Sequence, residues 1–74
     1  MTRLPCIKGQ QLVDALCKVG FEVICVKGSR YFLRRPDGRC TVAPVHRGET
    51  IGPGLLTKIL RDCEITPEQL ATLL

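Results

Sequence analysis

Lys27-Gly28-Ser29-Arg30-Tyr31-Phe32-Leu33-Arg34-Arg35-Pro36-Asp37-Gly38-Arg39 holds two turn signals with one strand's length of chain between them. Gly28-Ser29 is a two-residue turn of the glycine-first kind, whose twist suits a tight hairpin. Pro36-Asp37-Gly38 is a second strong turn, because proline pre-sets φ and glycine accepts a left-handed conformation. Arg30 to Arg35 between them reads as a strand. Before the first turn, Phe21 to Lys27 is rich in β-branched residues (Val23, Ile24, Val26) and reads as another strand. After the second turn, Cys40 to Val45 reads as a third, with Pro44 near its end marking a place where the donor side is unpaired. Two tight hairpins in succession predict a three-stranded antiparallel meander.

Helical patterns flank the meander. Over residues 8–19, Leu12, Val13, Leu16 and Cys17, with Val19 beyond, recur at helical spacing, and Lys8, Gln10, Gln11, Asp14 and Lys18 form the wet face. Gly20 is a natural stop. His46 to Gly52 reads as a polar loop. Gly52-Pro53-Gly54 opens a second helix with proline suited to its first turn. Leu55, Leu56, Ile59, Leu60 and Cys63 form its apolar stripe, with Thr57, Lys58, Arg61 and Asp62 toward water. Thr66-Pro67-Glu68-Gln69 is a capping box that starts a short last helix, 67–74, whose Leu70, Leu73 and Leu74 can pack back. The expected fold is α+β, in the order α-β-β-β-α with a short C-terminal helix. A single small core requires both main helices on one face of the sheet. The other face is left to solvent or to a partner.

Seventy-four residues suit one domain, 1–74, with its core over about 8–65. Met1 to Pro5 lead straight into that domain with no signal peptide, and no apolar run approaches the roughly 20 residues that span a membrane. A cytoplasmic protein is expected. The five cysteines show no C-x-x-C pair and no histidine at ligand spacing, so no metal and no cofactor is expected. Four of them sit in apolar sequence surroundings and read as reduced core residues.

The formal charge of +4 and a pI near 9.0 suit an anionic partner, and equally a solvated basic face. The distribution says more than the total. The opening stretch holds five of the eleven Lys and Arg residues and two of the three aromatics, with Asp37 its one acid. Continuing to Arg47 adds a sixth base and the sole histidine, His46. Strand alternation puts Arg30, Phe32 and Arg34 on one face and Tyr31, Leu33 and Arg35 on the other, where Tyr31 and Leu33 look core-like. An exposed aromatic between two bases suits stacking plus phosphate contact. Lys58 and Arg61 lie near a glycine-rich helix start, a position that attracts phosphate. Cys25, Val26, Cys40 and Val42 make both sheet faces partly apolar, a hint of a protein partner or a second copy.

The elements K-G-S-x at 27–30, R-x-P-D-G-R at 34–39, V-x-P-x-H at 42–46 and P-G-x-L-x-x-I-L at 53–60, together with G-F at 20–21, resemble the HicA family in order and spacing. The resemblance implies a small toxin of a bacterial toxin–antitoxin pair, with a double-stranded-RNA-binding-like fold. It also implies cleavage of mRNA and neutralisation by an HicB-like antitoxin. The RNA-binding residues expected on this basis are Lys27, Ser29, Arg30, Phe32, Arg34, Arg39 and Lys58. One departure bears on activity. The family's catalytic histidine typically follows Gly-Ser, and that position is Arg30. Metal-free RNA cleavage needs one group that takes the 2′-OH proton and one that protonates the leaving oxygen. Arg30 cannot exchange a proton near neutrality, though it can grip phosphate or stabilise developing charge. His46 is the remaining imidazole. It reads either as a residual catalytic or RNA-contacting group or as a loop histidine bonded to backbone. The second is favoured, because the resemblance places catalysis at position 30. The leading expectation is a weakened or inactive mRNA endoribonuclease. The alternatives are a non-enzymatic module that binds RNA or antitoxin, and an interaction domain with no nucleic-acid role.

Overall fold

A computed structural model describes residues 6–74, so the expectation for Met1 to Pro5 lies outside the described residues. The elements are α1 (Gly9–Lys18), β1 (Glu22–Lys27), β2 (Arg30–Arg34), β3 (Cys40–Pro44), α2 (Pro53–Cys63) and α3 (Pro67–Leu73). The strands form one antiparallel sheet in the order β1-β2-β3. The fold is α+β, as the turn chemistry predicts. Lys27 pairs with Arg30 across the Gly28-Ser29 turn, where Gly28 takes φ 60°, a value that a side chain would disfavour. The Pro36-Asp37-Gly38 turn closes with Arg35 N–H donating to the Arg39 carbonyl at 2.8 Å.

The pleat sorts the core. Leu33, Thr41 and Ala43 are buried on the face that meets the helices, with Tyr31 packed beside them. From α1 come Leu12, Val13, Ala15 and Leu16, and from α2 come Leu56, Ile59, Leu60 and Cys63. Phe21, just before β1, is fully buried among them. α1 packs on β1 and β3, and α2 packs on β3. The contact of α1 with β1 is slight, and all six residues of β1 are exposed. A bulge interrupts its pairing with β2 between Val23 and Cys25. At the far end, the predicted capping box is present: Thr66 Oγ1 accepts from Gln69 N–H, and Gln69 Oε1 accepts from Thr66 N–H. α3 is held by buried Leu70 and by Lys18 Nζ, which donates to the Leu73 carbonyl at 2.8 Å.

Several residues expected in the core lie outside it. Cys6, Cys17, Cys25 and Cys40 are exposed, and only Cys63 is buried, which reverses the reading of the cysteines as mostly core. Cys17 falls past the edge of the α1 stripe centred on Leu12 and Leu16, and Ala15 takes the buried place on the other flank. Leu55 sits about a quarter-turn off the α2 stripe and is exposed. Leu74 lies beyond the last turn of α3 and is exposed. Glu64, after α2, adopts the left-handed conformation (φ 57°) with no glycine to ease it, and Ile65 N–H donates back to the Leu60 carbonyl at 2.9 Å.

α1 begins in close contact with the end of β3. A Cβ on Gly9 would overlap the Pro44 carbonyl oxygen and stand 2.9 Å from Val45 Cα. Gly9→Ala should therefore destabilise the fold by about 1–3 kcal/mol through overpacking. Gly54→Ala, where a Cβ meets nothing within 4 Å, should cost little; urea melts of both variants check this. Burial, reinforced by the neighbouring Asp62 carboxylate, pushes the Cys63 thiol up to about 12. Its unfolded counterpart ionises near 9.0, so folding loses stability as pH rises from there toward about 12. Because thiolate is the reactive form, a chromogenic disulfide reagent at pH 8 should modify the four exposed cysteines of the native protein. Cys63 should react only after denaturation.

Candidate functional site

A cleft of about 430 Å³ opens on the sheet face away from the core, at the start of α2. Five chain segments build it. Ser29 comes from the β1–β2 turn, Arg30 from the first position of β2, and Val42 and Pro44 from β3. His46 comes from the loop after β3, and Leu55 and Lys58 from α2. Arg30 is opposite Pro44 in the sheet, and Val45 N–H donates to the Ser29 carbonyl at 2.6 Å. That bond makes the outgoing loop leave beside the β1–β2 turn. His46 consequently lands next to Ser29, with Nε2 3.4 Å from Ser29 Oγ. The His46 carbonyl accepts from Glu49 N–H at 3.1 Å, and Ile51 N–H donates to the Ile7 carbonyl at 2.9 Å, so the loop is anchored at both ends.

The cleft has cations at its rim and apolar surface on its walls. Arg30 is exposed and forms no ion pair among the described residues. Lys58 Nζ is 3.6 Å from Asp62 Oδ2, an exposed pair one helical turn apart that is worth little in water. Asp62 also accepts from buried Thr41 Oγ1 at 3.4 Å, which ties α2 to β3. No acidic side chain lines the cleft itself, and Val42, Pro44 and Leu55 supply its apolar surface. Chemically, Arg30 and Lys58 can hold an anionic group, the apolar walls can hold a flat ring, and the His46 imidazole can exchange a proton.

The residues anticipated from sequence divide into three groups. Ser29, Arg30, His46 and Lys58 share the cleft. Lys27, Phe32 and Arg34 lie on the same sheet face without lining it. Phe32 is half-buried, with Lys27 Nζ 5.8 Å from its ring centroid, so it is less open than a free stacking platform. Arg34 lines a separate shallow concavity with Glu22, Ile24, Arg35 and Pro36. Arg39 points elsewhere. Its Nε lies 2.8 Å from Asp37 Oδ2 and 3.4 Å from Glu64 Oε2, and its Nη1 donates to the Cys63 carbonyl at 3.0 Å. Arg39 thereby fastens the β2–β3 turn to the end of α2. The His46 side chain meets the Ser29 hydroxyl rather than a backbone group. Val42, Pro44 and Leu55 were not foreseen as cleft walls. The one available signal was the offset of Leu55 from the α2 stripe.

No helix of the described residues is long and apolar enough to cross a membrane. Among the described residues, no three His, Cys, Asp or Glu side chains gather where a metal ion could be held. No curated protein matches the sequence. The family model described as the HicA toxin of bacterial toxin–antitoxin systems matches residues 9–65, which runs from the first residue of α1 to just beyond α2 and includes every residue of the cleft. HicA toxins pair with an antitoxin, and this chain belongs to the HicA toxin family.

Proposed function

We propose that the chain acts on RNA in the cytoplasm, as a mRNA-directed toxin of double-stranded-RNA-binding-like architecture held in check by an HicB-like antitoxin. The observation that carries this reading is the convergence of Arg30, Lys58, His46 and Ser29 on one cleft whose lining has no acid. Arg30 and Lys58 grip backbone phosphate, and the apolar walls accept an unstacked base. Lys27, Phe32 and Arg34 extend the contact along the open sheet face. The ion pairs of Arg39 with Asp37 and Glu64 and its bond to the Cys63 carbonyl make it a structural residue in this reading, outside the RNA surface.

As an endoribonuclease the chain is weak, because Arg30 stands where related toxins carry their imidazole. Its guanidinium neutralises the phosphate and stabilises the charge that builds during 2′-OH attack, but it neither takes nor gives the proton. His46 is the one imidazole at the cleft, and it supplies whatever acid–base help remains. The substitution at position 30 also favours a second reading, a non-enzymatic module that binds RNA or antitoxin.

Arg30→His should raise mRNA cleavage by about 10²–10⁴-fold, the usual worth of positioned acid–base catalysis. His46→Ala should leave most of that restored activity. Single-turnover cleavage assays check both. Rapid cleavage by the unmodified chain that His46→Ala abolishes would make His46 the base instead. Tight RNA or antitoxin binding without cleavage by either form would select the binding module.

Affinity for RNA should fall steeply with salt as counterions are released. Reversing charge at Arg30 and Lys58 together should weaken binding and lower the slope of log affinity against log salt by about 1.4–1.8. Arg39→Gln should lower thermal stability while leaving that slope unchanged. Fluorescence anisotropy across a salt series measures both slopes.

A further inference from the structure

β1 is an open edge. Its one neighbour in the sheet is β2, and α1 touches it only lightly, so all six of its residues stay exposed. Val23, Ile24 and Val26 are 40%, 60% and 49% exposed, which places half of the large exposed hydrophobic residues among the described residues in one six-residue strand. An exposed apolar edge is a template for another strand. The opposite edge is protected, since β3 packs against α2 and ends in Pro44, which has no N–H to give.

We propose that β1 pairs with β1 of a second copy of this chain, antiparallel about a two-fold axis, with Glu22 opposite Lys27 of the second copy. The sequence E-V-I-C-V-K is its own complement in that register. Each Glu22 meets a Lys27, each Val23 meets a Val26, and each Ile24 meets a Cys25, all twice by symmetry. Neither Glu22 nor Lys27 forms an ion pair among the described residues, so a facing carboxylate competes only with the contact of Lys27 Nζ over the Phe32 ring at 5.8 Å.

The bulge in β1 makes this register possible. Residues opposite one another in an antiparallel pair must face the same side of the sheet. In an unbroken strand, positions 22 and 27 are an odd number of residues apart and would face opposite sides. Here the bulge between Val23 and Cys25 absorbs one residue. Glu22 pairs with Arg34, Cys25 with Phe32 and Lys27 with Arg30, so all three lie on the face away from the core. Val23 pairs with Leu33 and Val26 with Tyr31, so both lie on the helix side. The charged partners thus share one face and the valine partners share the other. Sliding the second copy by one residue in either direction sets outward residues against inward ones. Both copies carry the same insertion, so the two bulges fall opposite each other and neither strand outruns its partner. The product is one continuous sheet of two three-stranded halves. Its contact is small, which places it among weak, concentration-dependent interfaces.

Sedimentation equilibrium of the full chain in reducing buffer, over a rising concentration series, tests this. The mass should climb from the 8.2 kDa monomer toward the dimer. Glu22→Lys and Lys27→Glu should each weaken dimerisation by on the order of tenfold, because each turns two facing attractions into repulsions. The double variant, with the charges exchanged, should recover it. Ile24→Cys should form a disulfide-linked dimer on mild oxidation through Cys25 of the second copy, and the Ile24→Cys/Cys25→Ser variant should not. Circular dichroism confirms that each variant, changed only at exposed positions, remains folded. A monomer at every concentration overturns the proposal. So does a dimer indifferent to the single reversals, or one that the double variant fails to restore. A chain that stays monomeric but binds an antitoxin strand along β1 gives the edge to that partner and equally overturns self-pairing.

Discussion

The pleat of β2 divides the molecule. It is the central strand of the sheet, bonded on both sides, and its five residues alternate between two environments. Leu33 and Tyr31 face the helices, while Arg30, Phe32 and Arg34 face away. Everything else takes its place from that alternation. The register with β3 sets Ala43 and Thr41 under the helices and Val42 and Pro44 on the open side. The register with β1, interrupted by its bulge, sets which face each β1 side chain shares. A slip of one residue would bury three charged or aromatic side chains and expose the core. The cleft therefore depends on the packing of Leu33 as much as on the cations that rim it.

Local chemistry made the fold legible. Turns, caps and periodicity act over a few residues, and Gly28-Ser29, Pro36-Asp37-Gly38, Gly52-Pro53 and Thr66-Pro67 mark element boundaries within a residue or two of where they fall. Features set by distant contacts were not legible. Nothing in the neighbourhood of Gly9 says that Pro44 will press against it. Nothing around Val23 announces a bulge, because the residue absorbed is an ordinary isoleucine. The cysteines were misjudged for a related reason. Apolar neighbours in sequence do not imply apolar neighbours in space, least of all on a strand whose residues are all exposed.

The candidate site was legible as a concentration of charge but not as a shape. Strand alternation grouped Arg30 with Arg34, yet the cleft joins Arg30 to Lys58 and His46 instead. The joining contacts are one backbone bond from Val45 to Ser29 and the packing of α2 on β3, and neither is set by the residues next to Arg30 in the chain. Arg39 shows the converse. Its place in a run of bases suggested a ligand contact, while its partners Asp37, Glu64 and the Cys63 carbonyl make it a clasp between the β2–β3 turn and α2. A basic residue's role follows from whether a carboxylate already holds it, and that is a property of the folded chain.

The family match ends at residue 65, yet Leu70 in α3 is fully buried and belongs to the same hydrophobic cluster as Leu12 and Leu56. The stretch that the family model covers is thus smaller than the unit defined by packing. Cutting the chain at the edge of the family match would remove one wall of the core, and the vacancy left by a buried leucine costs about 2–5 kcal/mol. That is a large share of the stability available to a domain of this size. α3 acts as a stopper, a short segment that completes an interior which residues 9–65 leave unfinished.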